Sequence, residues 1–265
     1  MKILAVANQK GGVGKTTVAV HLAAGLSIAG HRVLLVDADH QASATQNLGV
    51  DSDPNRTLGV WLPGGQGDPM VVETRLRGLD VLPANVNLAD DEWAAIRDGV
   101  DPQLIADHLR GARFANSYDW MIIDMPPSLA FWARVGFVTA HRVLVPLVPA
   151  SFSISGFRQL STRIDEVRFK RWNPSLRLLG VVLNLVDRRT TLGRYAADLL
   201  EGIVDPALLF REAISYSASV GNAQLQNLVV FEAYDRSAVA MQFAHVVEEV
   251  LERWPDNLRV AQVPS

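Results

Sequence analysis

The sequence predicts a doubly wound α/β fold, in which a mostly parallel sheet carries helices on both faces. Short apolar runs recur along the chain, and segments long enough for helices lie between them. Runs that are apolar on both faces are typical of the central strands of a parallel sheet. Alternation of strand and helix then gives right-handed crossovers between neighbouring strands.

Five apolar runs predict the strands, at residues 3–7, 33–36, 121–123, 143–145 and 178–186. Helical patterns predict the connecting and flanking helices, at residues 16–29, 102–113, 155–169, 192–202 and 237–254. The stretch 51–78 is rich in Gly, Pro and Asp and has no sustained periodicity, so we expect an irregular surface excursion there.

Composition limits the classes of protein to consider. The chain has 265 residues, is 49% hydrophobic and carries a net charge of −3, which favours one domain over 1–254 with a loose tail at 255–265. It has no cysteine, which excludes disulfides, iron–sulfur clusters, thiolate zinc sites and thiol catalysis within this chain. No apolar run reaches the roughly 18 to 20 residues that span a bilayer. We therefore expect a cytoplasmic protein.

A glycine-rich motif, KGGVGKTT at residues 10–17, directly follows the first predicted strand and opens the first predicted helix. Glycines let the backbone turn tightly and direct its N–H groups at phosphate oxygens, and the helix N-terminus adds its positive dipole end. The lysine at the end of such a loop reaches the β- and γ-phosphates, and the hydroxyl after it ligates Mg²⁺. The sequence therefore predicts an ATP and Mg²⁺ site formed by Gly11, Gly12, Val13, Gly14, Lys15, Thr16 and Thr17.

The motif departs from the ordinary Walker pattern, because Gln9 and Lys10 stand where that pattern begins with a glycine. In this respect the chain resembles the deviant Walker A ATPases, the ParA partition family with the cell-division protein MinD as a relative. The resemblance implies a P-loop fold, ATP hydrolysis and a homodimer that forms on ATP. It also implies that Lys10 reaches across the dimer interface to the partner's phosphates.

Three aspartates follow predicted strands. Asp37 and Asp39 end the second strand, and side chains two residues apart in an extended segment point the same way. By the same resemblance, Asp39 orients or deprotonates the attacking water and Asp37 lies nearer the Mg²⁺. His40 replaces the proline typical of the family, and we interpret it as a surface residue. Asp124 ends the third predicted strand as a Walker B carboxylate, with a helix N-cap as the alternative.

Two further predictions have equally good structural alternatives. Asn184 ends the fifth strand where the family contacts adenine, but a strand-end turn residue has the same signature. From 158 to 194 there are nine basic residues against three acids, which indicates a nonspecific DNA surface or merely a solvated helix face. The candidate DNA contacts are Arg168, Lys170, Arg171, Arg188, Arg189 and Arg194.

The resemblance implies an ATPase that binds nonspecific DNA on the nucleoid and partitions or positions a cargo, with hydrolysis stimulated by a ParB-like or other cargo adaptor. Because this sequence leaves no room before Met1, we expect no N-terminal helix-turn-helix and no operator binding. One alternative is a membrane-associated MinD-like ATPase, although the last helix is acidic rather than basic. The other is a metabolic P-loop ligase of the dethiobiotin-synthetase type.

Overall fold

The structure, a computed structural model, describes residues 1–53, 56–149, 154–187, 189–191, 195, 200 and 203–254, with the backbone alone at 154–156. Most of the predicted helix 192–202 and the whole predicted tail 255–265 lie outside the described residues. The division into one domain and a tail stays a prediction.

A seven-stranded sheet with the strand order β3-β4-β2-β5-β1-β6-β7 forms the centre of the protein. The β3–β4 pair is antiparallel, and all the other pairs are parallel. The predicted fold class is confirmed. The strands are β1 Lys2–Val6, β2 Val33–Asp37, β3 Val72–Glu73, β4 Leu79–Leu82, β5 Trp120–Asp124, β6 Arg142–Leu147 and β7 Arg177–Leu183.

Helices cover both faces of this sheet, since alternate residues of the central strands enter two separate apolar cores. In β1, Ile3 and Ala5 belong to one core and Leu4 and Val6 to the other. The described α-helices are α1 Lys15–Ile28, α2 Ser43–Asn47, α3 Asn87–Arg97, α4 Pro102–Arg110, α5 Ala112–Ala115, α6 Phe131–Thr139, α7 Ile154–Phe169, α8 Ala218–Leu225, α9 Val230–Ala233 and α10 Ala238–Arg253.

The excursion predicted at 51–78 contains short regular elements. A 3-10 helix, Leu58–Trp61, buries both of its terminal side chains, and β3 adds an edge strand. The predicted helix 102–113 is divided in two, because Gly111 is extended between α4 and α5. Strand β4 and helices α2, α3, α6, α8 and α9 were not predicted.

Candidate functional site

The phosphate loop lies between β1 and α1. Gly14 caps α1 in the left-handed conformation, with φ 82°, so that Lys15 becomes the first helical residue. Such a conformation favours glycine, because a Cβ atom there would be strained. The loop therefore ends at a helix N-terminus, where backbone N–H groups without helical partners attract anions.

Lys15 is buried at the base of this loop, whereas Lys10 is exposed. The Lys15 Nζ donates a hydrogen bond to the Lys10 carbonyl oxygen at 3.1 Å. Burial lowers the pKa of Lys15, and the carboxylates of Asp124 and Asp39 oppose that effect. A cation held in this way is drawn toward any phosphate that enters the loop.

Strand register brings two of the predicted aspartates together. Asp37 and Asp124 are directly paired at the carboxyl ends of β2 and β5, and Val6 at the end of β1 pairs with Asp124 on its other side. Ligands of open parallel sheets bind outside this end of the strands. The predicted acids and the phosphate loop therefore meet at the carboxyl end of the parallel strands.

Asp37 is fully buried and already has protein partners. Its carboxylate accepts hydrogen bonds from the backbone N–H and the hydroxyl of Thr45, at 2.9 and 2.7 Å, and from the N–H of Asp39 at 3.2 Å. Burial raises its pKa to about 6 although these hydrogen bonds lower it. Because Thr45 lies in α2, these bonds hold α2 against the end of β2. Asp37 as a metal-binding residue stays a prediction.

Asp124 differs, because it is buried and neither carboxylate oxygen makes a hydrogen bond with normal geometry to any residue that the structure describes. Burial raises its pKa well above the usual range, and the charge of Asp37 adds to this; the hydroxyl of Thr16 and the charge of Lys15 act in the opposite direction. Two buried acceptor oxygens without donors are costly unless a cation or donor reaches them. The site therefore suits a cation.

A magnesium site at this position would need more than protein carboxylates. The described residues hold no group of three or more His, Cys, Asp or Glu side chains able to bind a metal. Mg²⁺ commonly takes one or two protein ligands and completes its octahedron with phosphate oxygens and water. Asp124 and the Thr16 hydroxyl fit that pattern, so the residues present suit Mg²⁺ that enters with a nucleotide.

Asp39 lies in the loop after β2, where its side chain is largely buried. Its Oδ1 accepts a hydrogen bond from the N–H of Gln41 at 3.0 Å. The Nδ1 atom of His40 lies 3.6 Å from the same oxygen, and the His40 side chain is 41% exposed. His40 is thus partly exposed, as predicted, yet it contacts the carboxylate to which the sequence assigns the attacking water.

Asn184 connects the end of β7 to the phosphate loop. Its Nδ2 donates to the carbonyl of Val13 at 2.8 Å, and its backbone N–H donates to Leu147. A Cβ atom on Gly14 would lie 2.2 Å from that Nδ2. The buried Oδ1 has no donor among the described residues. Asn184 therefore supports the loop and offers one acceptor, and its contact with adenine stays a prediction.

Several residues that support the site were not predicted. Gln224 of α8 donates to the Thr17 hydroxyl at 3.1 Å. His21 of α1 contacts the Thr17 carbonyl through Nδ1 at 2.7 Å, and its Nε2 accepts from the N–H of Val230 at 3.2 Å. The helical spacing of a sequence gives no signal for the contacts of Gln224 and Val230, because they join segments more than 200 residues apart.

The predicted DNA contacts are partly neutralised by acids on the same surface. Arg168 pairs with Asp165, Lys170 with Glu166, and Arg189 with Asp187, at 3.2, 2.7 and 2.8 Å. Arg171 is exposed in the left-handed region, with φ 59°, at the end of α7. Arg188 and Arg194 lie outside the described residues. The excess of positive charge remains, but exposed ion pairs reduce its local strength.

Comparisons with known proteins agree with this geometry. A family model with the description AAA domain matches residues 1–178. The chromosome partitioning protein ParA of Caulobacter vibrioides is 38% identical over 200 residues, 74% of each chain. The chain belongs to the ParA family of P-loop ATPases. The chromosome-partitioning ATPase Soj of Thermus thermophilus is 33% identical over 94% of this ParA-family chain and 95% of Soj.

Solved structures place the chain among the same ATPases. The cell division ATPase MinD of Pyrococcus furiosus is 26% identical, with a TM-score of 0.73 over 95% of this chain and 98% of MinD. Cobyrinic acid a,c-diamide synthase of Mycobacterium smegmatis, solved with an ATP analog and magnesium, is 31% identical, with a TM-score of 0.80 over 96% of both chains. Among the described residues of this ParA-family chain, no helix has the length and apolar character to cross a membrane.

Proposed function

We propose that this chain is a Mg²⁺-dependent ATPase that dimerises on ATP, binds DNA without sequence preference, and partitions or positions a cargo. A cargo-bound adaptor of the ParB kind stimulates hydrolysis. The protein acts in the cytoplasm, on the nucleoid and not on a membrane. The similarity to ParA and Soj supports this proposal.

The observation that carries the proposal is the buried carboxylate of Asp124 beside the phosphate loop, for which the described part of the chain supplies no hydrogen bond of normal geometry. Lys15 and the Thr16 hydroxyl both lie near enough to lower its pKa. A lysine, a hydroxyl and an unsatisfied carboxylate at a helix N-terminus together suit a nucleotide triphosphate with its metal.

We assign each residue a role in hydrolysis from its position and, for Asp39 and Lys10, from the resemblance to the family. The N–H groups of the loop and the Lys15 ammonium bind and orient the phosphates. Mg²⁺, when bound, would supply charge that neutralises the phosphates. Asp124 and the Thr16 hydroxyl would hold that ion, with Asp37 beside Asp124 on the neighbouring strand. Asp39, in the loop after β2, orients the attacking water or accepts its proton. The exposed Lys10 supplies a further cation to the second subunit's phosphates.

Two variants test this function. Lys15→Ala should abolish nucleotide binding, because the phosphates lose their buried cation. Asp39→Ala should bind ATP and Mg²⁺ normally, hydrolyse little and accumulate as an ATP-dependent dimer. Calorimetry, phosphate release and size-exclusion chromatography measure the three steps. Unchanged ATP affinity in Lys15→Ala, or full activity in a monomeric Asp39→Ala protein, contradicts the proposal.

A metabolic ligase is the second candidate, favoured by the likeness to the diamide synthase structure. These 265 residues contain no cysteine, so an amide transfer through a protein thiol is excluded here. The two candidates differ in what raises ATP hydrolysis. DNA with an adaptor protein should raise it in a partition ATPase, whereas a small acid or amine should raise it in a ligase.

A further inference from the structure

Helix α3 presents an unusual surface to solvent. Its inner side buries Leu88 and Ala95 against the core, while Trp93 on the other side is 75% exposed. Val86, one heptad before Trp93, is 71% exposed, and Ile96, one turn after it, is 52% exposed. Residues spaced by three, four or seven positions share one side of a helix, so they form a continuous stripe. The stripe, which we call the α3 face, consists of Val86, Asp90, Trp93, Ile96 and Arg97, whose charge is paired with Asp98.

A single exposed apolar residue needs no explanation, but a contiguous stripe with an exposed tryptophan is typical of a binding surface. Tryptophan is also among the residues most enriched at the positions that dominate protein interfaces. Beside the C-terminal end of the stripe, a cleft of about 540 Å³ is lined by Ile96, Val100, Pro102, Phe131, Arg134 and Trp172 among others. The cleft could accept one or two apolar side chains of a partner.

The charge around the α3 face identifies the kind of partner. Residues 86–107 contain six acids and one base, in a chain whose net charge is only −3. The one base, Arg97, already pairs with Asp98 at 2.7 Å. Asp90 is exposed one turn before Trp93, and its charge adds to the effect of burial in raising the pKa of Asp91. A stripe of this composition attracts cations and repels anionic lipid or nucleic acid.

The α3 face is also connected to the candidate active site. The Glu92 carboxylate accepts a hydrogen bond from the N–H of Trp132 at 3.1 Å, and the Leu88 carbonyl accepts one from the Trp132 indole at 2.8 Å. Trp132 lies in the first turn of α6, the helix that follows the Asp124 loop. A partner on α3 therefore contacts a helix that is hydrogen-bonded to the segment after the Walker B strand.

We infer that the α3 face is the docking surface for a basic, amphipathic segment of a protein partner. The inference rests on the proposed function in one respect, that such a partner is the adaptor that stimulates hydrolysis. The segment places apolar side chains against Trp93 and in the cleft beside Ile96, and its lysines or arginines lie near Asp90. The surface is small, so the complex is weak and transient.

A defined probe tests the surface directly. The probe is a fluorescein-labelled amphipathic peptide with leucine and lysine at helical spacing, and its counterpart has glutamate in place of lysine. Anisotropy with nucleotide-free protein measures affinity. We expect the lysine peptide to bind, and Trp93→Ala and Asp90→Lys each to weaken its binding about tenfold or more. The glutamate peptide should bind at least about tenfold more weakly than the lysine peptide.

Matched controls come from exposed residues elsewhere. Met241 is 53% exposed and Glu248 is exposed, both on α10, which packs in the apolar core on the other face of the sheet from α3. Met241→Ala and Glu248→Lys therefore change the same properties at distant positions. Both should leave the affinity within about twofold of the wild type. The inference is overturned if the lysine peptide does not bind, if the controls lose as much affinity as the α3 variants, or if the glutamate peptide binds equally well.

The inference is also overturned if the α3 face binds a second copy of this chain or a lipid surface instead of a protein partner. Loss of a wild-type oligomer in Trp93→Ala, measured by sedimentation, would assign the α3 face to a second copy of this chain. Loss of binding to phosphatidylglycerol vesicles in the same variant would assign it to a lipid surface. Because the peptide assay uses no nucleotide, its outcome is independent of ATP hydrolysis and of the Asp39→Ala result, and either proposal can fail alone.

Discussion

Gly14 is the residue of the phosphate loop where a side chain would be least tolerated. Its φ is 82°, and an added Cβ would lie 2.2 Å from the Nδ2 of Asn184. We expect Gly14→Ala to lower the free energy of unfolding by about 2 kcal/mol or more, from backbone strain and displacement of Asn184. Urea denaturation without nucleotide measures this.

Gly30→Ala is the matched control, because Gly30 has a similar φ of 94° and no atom within 4 Å of an added Cβ. Its cost should reflect the backbone alone, so the difference between the two variants measures the contact with Asn184. Equal losses of stability in both variants would show that Asn184 moves aside without cost.

His21 should make the stability of the protein sensitive to acid. Burial lowers its pKa from 6.5 to about 4, and its Nε2 must be unprotonated to accept from the N–H of Val230. Between about pH 6.5 and 4 the unfolded chain binds a proton that the folded chain does not, so stability falls as the pH falls. Lowering the pH from 7.5 to 5 should therefore lower the free energy of unfolding by about 2 kcal/mol.

The comparison variant is His21→Gln, which lacks the titrating ring. It should be less stable than the wild type at pH 7.5, because it cannot stack on Phe243 as His21 does. It should, however, lose less further stability on going to pH 5. Chemical denaturation at the two pH values measures both effects. An equal decrease in the two proteins would mean that His21 is not the group responsible.

At the level of single residues, the sequence correctly located the glycine-rich loop between a strand and a helix and the aspartates at the ends of strands, because both are parts of local motifs. The loop at 10–17 and the aspartates that end strands are recognisable because a phosphate and a metal need those side chains in that order. The hydrogen bonds of Thr45 with Asp37 and of Gln224 with Thr17 were not predictable. They depend on how separate segments meet, which the one-dimensional pattern does not contain.

Among the elements, the junction of α3 and α6 offers a distinct test. The Glu92 carboxylate accepts from the N–H of Trp132 in the first turn of α6, where no helical partner exists. We expect Glu92→Ala to destabilise the protein by about 1 kcal/mol, because the N–H loses its acceptor. Glu92→Gln, which keeps an acceptor oxygen, should cost less. Thermal and urea unfolding of the three proteins measure this, and equal costs would show that the hydrogen bond does not contribute to stability.

A strand or helix could be predicted from the sequence when its own residues form a strong hydrophobic pattern. The long strands near the centre of the sheet are buried on both faces, so each is a continuous apolar run. In contrast, β3 has only two residues and β4 only four. Segments this short do not show a reliable alternation of apolar and polar residues. The helix α6 buries nearly all of its side chains, so no polar face marks it as amphipathic.

For the whole molecule, charge is distributed unevenly over the surface. Residues 86–107 are strongly acidic and residues 158–194 basic, although the chain as a whole carries only −3. This separation agrees with the two proposed partners, a basic protein segment at the α3 face and the phosphates of DNA near the end of α7. A protein that binds DNA and is stimulated by a basic adaptor needs an acidic surface apart from its basic one, because a basic surface attracts nucleic acid and repels a basic partner.

The DNA surface can be tested with a variant in which Arg168, Lys170 and Arg171 are all replaced by alanine. Two of these residues form exposed i,i+3 and i,i+4 ion pairs, so stability should change by less than about 1 kcal/mol. Binding to random duplex DNA should weaken equally for every sequence. The slope of log affinity against log salt should decrease by about 0.9 for each phosphate that the protein no longer neutralises.

The control for this triple variant is Arg97→Ala with Arg236→Ala, which removes two exposed arginines elsewhere and should leave the salt slope unchanged.

ATP-dependent dimerisation should survive in the triple variant, because its residues lie outside the nucleotide site. In contrast, Lys10→Ala should weaken both the dimer and DNA binding. Gel shifts at rising salt, with and without ATP, measure these outcomes. Equal affinity of the wild type in both nucleotide states, or a marked preference for one sequence, would contradict a nonspecific DNA switch driven by ATP.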